Sequence, residues 1–227
     1  KNVAIADVYW GLIFVIVVWS SVAQHGLTQR GVLLASLVTI WGGRLAVYLF
    51  FRGLGQPEDR RYRAMRAPRG VSFWWRSVYV VFGLQALLGW IVAIPLQLPL
   101  ADTELGWLDG IGIFLWSFGC FWEFVGDWQI SQFLKNRKSD EVLSTGLWRY
   151  TRHPNYFGEA CLWMGFECIA LSGGVSWLSI LSPALMIFLL LRVSGVTMME
   201  STIVSRRPEY QAYIEKTSAF IPWTPRS

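Results

Sequence analysis

Histidine and cysteine are scarce in this chain, which holds 2 histidines and 3 cysteines in 227 residues. His25 and His153 lie in different connections, so no two-histidine metal or haem site can form between them. Cys120, Cys161 and Cys168 form no CxxC and fall inside apolar runs, where a thiol behaves as a small hydrophobe. Neither a Walker A sequence nor a GxGxxG is present, so any nucleotide must be held by something other than a Rossmann turn. Polar–apolar alternation is missing as well, which excludes strands as the main element. Polar linkers, internal repeats and low-complexity segments are absent, and residues 1–227 are expected to form a single membrane-embedded domain. No cleavable signal peptide is recognisable, and Lys1 in place of Met leaves room for a missing upstream span.

Apolar residues, in contrast, are abundant. They make up 54% of the chain, against about 45–50% in soluble domains. They gather in six runs, at 3–23, 31–51, 73–100, 107–133, 156–172 and 175–193. At about 1.5 Å per residue each run can cross the ~30 Å hydrocarbon layer, the fifth with least to spare. Backbone in lipid must satisfy its own hydrogen bonds, so the runs are helices. The 14 tryptophans suit membrane interfaces. The expected fold is all-α: a polytopic transmembrane bundle of six to seven spans.

The formal charge of +5 lies between the apolar runs and not along one polar face, which argues against nucleic acid. Arg52, Arg60, Arg61, Arg63, Arg66, Arg69 and Arg76 crowd the 52–76 connection. Lys135, Arg137, Lys138, Arg149 and Arg152 occupy 135–153, and Arg206, Arg207, Lys216 and Arg226 the C-terminal tail. The other connections hold Arg30 (24–30), Asp102 and Glu104 (101–106), and no charge (172–174). Basic and non-basic connections thus alternate. The positive-inside rule places both termini and the long basic loops in the cytoplasm, with any site for a soluble cofactor.

Ionisable residues within spans are functional candidates because an uncompensated charge there is costly. Glu123 and Asp127 are four apart in the fourth run and share a face that continues to Ser131 and Lys135. Glu159, Trp163 and Glu167 share a face of the fifth, where Glu167 must pair, take a proton or line a wet cavity. Asp7 is an acid in the first run, while Trp41, Arg44 and Tyr48 fall on one face of the second. Arg192 ends the sixth run, with Glu200 eight residues further on. The segment from Gly146 to Glu159 is the densest chemistry. Pro154 suits a helix first turn, whose free N–H groups favour phosphate, while Arg149, Arg152 and His153 add donors. Trp148, Tyr150 and Tyr156 add flat surfaces for stacking. The stretch from Gly55 to Arg66 is patterned, with arginines able to clamp phosphate. Tyr210 to Pro222 looks like an amphipathic segment returning along the membrane surface.

Four ordered motifs carry a resemblance: Asp7-Val8-Tyr9-Trp10-Gly11, Glu58-Asp59-Arg60-Arg61-Tyr62, Gly126-Asp127-Trp128-Gln129 and Thr151-Arg152-His153-Pro154-Asn155-Tyr156. With Glu159, Tyr213 and Phe220-Ile221-Pro222, they resemble the bacterial branch of the steroid 5α-reductase family along nearly the whole chain. That resemblance implies an NADPH-dependent reductase in a bacterial inner membrane, acting on a 3-oxo-Δ4 steroid or a similar small apolar enone within the bundle. It maps cofactor-binding roles onto Asp127, Asn155, Glu159 and Arg192. Sterol reductases share the Arg-His-Pro-Asn-Tyr turn, with basic residues before it, a role open to Lys135 and Arg137. Trp148, Arg152, His153, Tyr156 and Glu200 complete the expected cofactor set.

Animal members carry a Gln-Glu pair in an early span, a tyrosine in the next and a further N-terminal helix. The corresponding stretches here offer Asp7 and the Trp41/Arg44/Tyr48 face. For the group that polarises the substrate carbonyl, a role that an acid kept neutral by burial would fill, Asp7, Tyr48 and Glu58 are open alternatives. The rival class is an isoprenylcysteine-type carboxyl methyltransferase using S-adenosylmethionine. Those enzymes share an Arg-His-Pro-x-Tyr-x-Gly entry, and Glu200 would suit them. Asp127-Trp128-Gln129 and the Glu58–Arg66 loop have no counterpart in that class.

Overall fold

Long apolar runs become helices, and every element among the described residues is helical. A computed structural model describes residues 3, 5–98, 100–137, 141–193, 196, 200, 203, 204, 207 and 209–226. Lys138 and Arg206, two of the charges used to orient the chain, lie outside them. The helices are α1 (Ile5–His25), α2 (Gln29–Gly53), α3 (Arg60–Arg66), α4 (Gly70–Val92), α5 (Ile94–Gln97), α6 (Trp107–Asn136), α7 (Pro154–Ser172), α8 (Trp177–Val193) and α9 (Glu209–Lys216). Of these, α1, α2, α4 and α6 are long and apolar enough to cross a membrane, as a multi-pass membrane protein requires. α7 has 19 residues but carries Glu159 and Glu167, and α8 is a shorter apolar helix. The third run, expected as 73–100, ends earlier. Val92 closes α4, and Pro95 stands at the start of the short α5.

The chain divides into two compact units. The first comprises Lys1–Leu105 and Ala170–Ser176. Within it α1 and α2 form a hairpin whose closest approach is at Gly11 and Gly42, where an added Cβ on either residue would lie 2.6 Å from the other's carbonyl oxygen. Small residues let backbones meet where lipid offers no hydrophobic drive for association. Phe14 and Trp41, both 0% exposed, pack beside that crossing with ring centroids 5.7 Å apart.

Arg30, the lone basic residue of its connection, is 1% exposed. Its guanidinium donates to Ala101 O (2.8 Å), Thr103 Oγ1 (3.1 Å) and Glu104 O (3.0 Å). Ala101 N in turn donates to Gly173 O at 2.9 Å. All three non-basic connections are therefore joined at one end of this unit. At its other end Val3 N donates to Glu58 Oε1 at 2.9 Å, which puts the start of the chain beside the arginine-rich connection. The alternation read from charge is matched by which connections meet.

The second unit comprises Gly106–Ile169 and Trp177–Ser227. Its centre is the antiparallel contact of α6 with α7. Gly112 of α6 faces Gly165 and Ile169, Gly119 faces Gly158 and Leu162, and Gly126 faces Pro154 and Asn155. The three α6 glycines are seven apart, so they stack on one face and allow the two backbones to touch. A Cβ at Gly165 would sit 2.6 Å from Gly112 O and 2.8 Å from Trp116 N, both backbone atoms that cannot step aside. Gly165→Leu should therefore lower the melting temperature sharply, by more than the ~1–3 kcal/mol typical of overpacking. A melting curve within a degree or two of the parent would refute this packing.

Candidate functional site

The turn before α7 is built by the C-terminal segment. Arg152 N donates to Ser218 O (2.9 Å), Thr151 Oγ1 to Phe220 O (2.8 Å), and Trp223 N to Tyr150 O (2.9 Å). The Tyr213 hydroxyl donates to Trp148 O, and burial pushes its phenol well above the usual tyrosine range. The Trp148 indole donates to Gly126 O at 3.2 Å. The sequence from Trp148 to His153 is thus fastened on both sides before α7 begins.

Arg152 and His153 point inward, 7% and 3% exposed. Arg152 grips Glu200 through two parallel bonds, Nε to Oε1 at 2.7 Å and Nη2 to Oε2 at 3.0 Å, the forked geometry that strengthens such pairs. Its Nη1 donates to Ile214 O and Thr217 O, at the end of α9. His153 Nε2 lies 3.0 Å from Glu200 Oε1, and its ring stacks on Tyr156 with centroids 5.4 Å apart. Burial raises the Glu200 pKa, but hydrogen bonds from His153 and Arg152 more than offset it and hold the carboxyl below its usual range. These donors, expected to face phosphate, are spent on protein acceptors. They position the turn.

Asp127 and Asn155 are brought together instead. Asn155 Nδ2 donates to Asp127 Oδ1 at 3.2 Å, and Asn155 Oδ1 accepts from Tyr156 N at 3.1 Å, satisfying one of the orphan donors of a helix start. Asp127 is 5% exposed and Glu123, one turn before it, 3%. Glu159 is half-buried one turn into α7, and Glu167 is 1% exposed, accepting a hydrogen bond from Ser179 Oγ. The pairing required of Glu167 is met there at Oε1. Lys135 and Arg192 are exposed and Arg137 is half-buried, and none has a protein acceptor among the described residues. Gln129 has a local task, its Oε1 accepting from Leu147 N at 3.0 Å.

In the first unit, the patterned loop folds onto the start of α1. Asp59 caps α3 through Arg61 N, and Arg61 Nη2 reaches Asp7 Oδ2 at 2.9 Å. Tyr62, 3% exposed, donates its hydroxyl to Asp7 Oδ1 at 2.5 Å and accepts from Gln85 Nε2 at 3.4 Å. Burial, followed by the Asp7 carboxylate, pushes the Tyr62 phenol well above its usual pKa. Glu58 accepts two bonds from Arg66, at 3.0 and 2.7 Å; these hold its carboxyl below the usual range against a smaller effect of burial. The expectation of an acid kept neutral by burial is therefore not met at Glu58, because Arg66 compensates its charge. Asp7 too is paired with an arginine. Tyr48 is half-buried on α2, with the Arg52 guanidinium 5.9 Å from its ring centroid. Sequence reasoning passed over Tyr62 as a separate candidate, although it ends the Glu58–Tyr62 motif.

Four helices long and apolar enough to cross a membrane, with polar side chains gathered at helix ends and loops, mark a multi-pass membrane protein. The chain belongs to the DUF1295 family, described as proteins of unknown function, whose profile matches residues 1–217. It is similar to uncharacterized protein C594.04c of Schizosaccharomyces pombe, with 26% identity over 225 residues, covering 86% of this chain and 64% of that protein. This chain thus spans less than two thirds of that relative's length.

Proposed function

We propose that the protein is a six-span membrane reductase that uses NADPH to saturate an activated carbon–carbon double bond, that of a 3-oxo-Δ4 steroid or a similar apolar enone. The observation that supports this reading best is the Asp127–Asn155 pair at the start of α7. A carboxylate beside a carboxamide offers an acceptor, a donor and a second acceptor, which fits the hydrogen-bonding needs of a nicotinamide amide and a ribose hydroxyl. Lys135, Arg137 and Arg192, which have no protein acceptor among the described residues, would meet phosphate, whereas Arg152, His153 and Glu200 set the backbone from which Asn155 projects. Trp148 and Tyr156 buttress the same turn, and Glu159 faces the ligand one turn in. When bound, the cofactor supplies the hydride.

The protein's own contribution is to polarise the substrate carbonyl. Charge moves to that oxygen, and a donor placed there lowers the barrier most. Tyr48 would supply it, or the donors that Asp7 and Glu58 hold, Arg61, Tyr62 and Arg66, since the carboxylates themselves can only accept. With both termini and the basic connections cytoplasmic, the site faces the soluble NADPH pool.

Thermal shift separates this from a methyltransferase. NADPH should raise the melting temperature of the purified protein, NADH less so because it lacks the 2′-phosphate, and S-adenosylmethionine not at all. A shift with S-adenosylmethionine alone, accompanied by methyl transfer to a prenylated thiol, would replace the reductase reading with its rival.

A further inference from the structure

Beyond α9 the chain turns back and closes a cavity of about 320 Å³ in the second unit. Arg152, Glu215, Lys216, Ser218, Trp223 and Arg226 are among the residues lining it. Arg226 N donates to Lys216 O at 2.9 Å, which ties the two cationic residues to one mouth although they are ten apart in sequence. The carbonyls at the end of α9 would ordinarily repel an anion, but Arg152 takes those of Ile214 and Thr217. Glu200 neutralises Arg152 in turn, so the balance at the mouth is set by Lys216 and Arg226 against Glu215. Neither cationic side chain has an acceptor among the described residues. Glu215 accepts a long bond of 3.4 Å from Gln211. The same turn exposes Ile221 (65%) and Trp223 (71%), apolar side chains that water disfavours and a membrane interface accommodates.

We propose that this cavity seats the phosphate of an anionic phospholipid headgroup. Its cations and the Ser218 hydroxyl meet the phosphate, while Ile221 and Trp223 enter the interfacial layer beside it. The seat would hold the C-terminal segment against the bilayer, and through the bonds from that segment to Tyr150, Thr151 and Arg152 it would steady the turn that starts α7. This inference does not depend on the reductase reading.

Each basic residue near an anionic membrane surface contributes about 5.4-fold in partition, so losing two removes roughly 30-fold. The test is retention of phosphatidylglycerol against phosphatidylcholine by the full chain, read by native mass spectrometry after detergent extraction. The protein should retain phosphatidylglycerol preferentially, and the K216Q/R226Q double variant should lose that preference by roughly 30-fold. The charge-conserving K216R/R226K variant should keep it, which separates charge from folding. Equal retention of both lipids, or a preference that survives K216Q/R226Q, would overturn the proposal. Inorganic phosphate at millimolar concentration distinguishes the source. It should not displace the lipid, and stabilisation by inorganic phosphate without any by phosphatidylglycerol would rule out a lipid ligand.

Discussion

Glu200→Ala is expected to unfold the C-terminal half of the site at temperatures the parent protein tolerates. Glu200 is the shared acceptor for Arg152 and His153, whose side chains are only 9% and 3% exposed. Removing it leaves a buried guanidinium without its counter-ion, and breaking a buried pair in this way costs about 3–5 kcal/mol. Glu200→Gln keeps the shape and an acceptor oxygen but not the charge, so it should lie between the two. The pH dependence follows from the lowered carboxyl pKa. An unfolded Glu takes up its proton near pH 4.3, the folded one only at lower pH. The stability contributed by Glu200 is therefore fully present above that value and is lost as pH falls through the folded pKa. In the Glu200→Ala protein this part of the acid dependence should vanish. Thermal melts of the parent and both variants between pH 3 and 8 check it, and a parent-like acid profile in Glu200→Ala would show that the ion pair contributes nothing.

Asp127→Ala and Asn155→Ala carry the second large effect, on activity. If the pair holds the cofactor as proposed, each variant loses NADPH affinity, and misplacement of the reacting groups by even ~1 Å costs about 10²-fold in turnover. Asn155 also accepts from Tyr156 N, so its loss removes a helix cap worth about 1 kcal/mol. That is small beside the expected activity loss, and the two roles can be separated. NADPH-dependent reduction of a 3-oxo-Δ4 steroid, cofactor affinity and melting temperature would be measured together. A functional role requires turnover and affinity to collapse while the melting temperature moves by a few degrees. A large thermal loss with NADPH affinity intact would reduce Asn155 to a cap and remove the main support for the reductase proposal.

Much of this arrangement was legible in the chain itself. The long apolar runs demanded helices because lipid leaves the backbone no other partner; four helices are long and apolar enough to cross a membrane, and a shorter apolar helix follows at Trp177–Val193. The alternating distribution of arginine and lysine anticipated which connections share an end, and the links from Arg30 through Ala101 to Gly173 join the three non-basic ones. The seven-residue spacing of the glycines at 112, 119 and 126 was passed over in the sequence, and only the facing Gly158 and Gly165 reveal what they are for. Length, hydropathy and charge act locally along the chain, so one sequence contains them in full.

Pairing does not. Arg152 and His153 have the chemistry of phosphate ligands, and nothing within their own segment indicates that an acid 47 or 48 residues later will claim them. Glu58 could be a neutral buried acid in isolation and becomes an arginine-bound carboxylate once α3 turns Arg66 back onto it. Asp7 gains Arg61 and Tyr62 across more than fifty residues of chain. The sequence by itself therefore determined the helical membrane class, which non-basic connections share an end of the first unit, and the residues with chemistry to offer. The tertiary structure decided which of those residues are spent on one another and which have no protein acceptor among the described residues. A donor is indifferent to sequence distance and binds whatever acceptor the packing brings within about 3 Å of it.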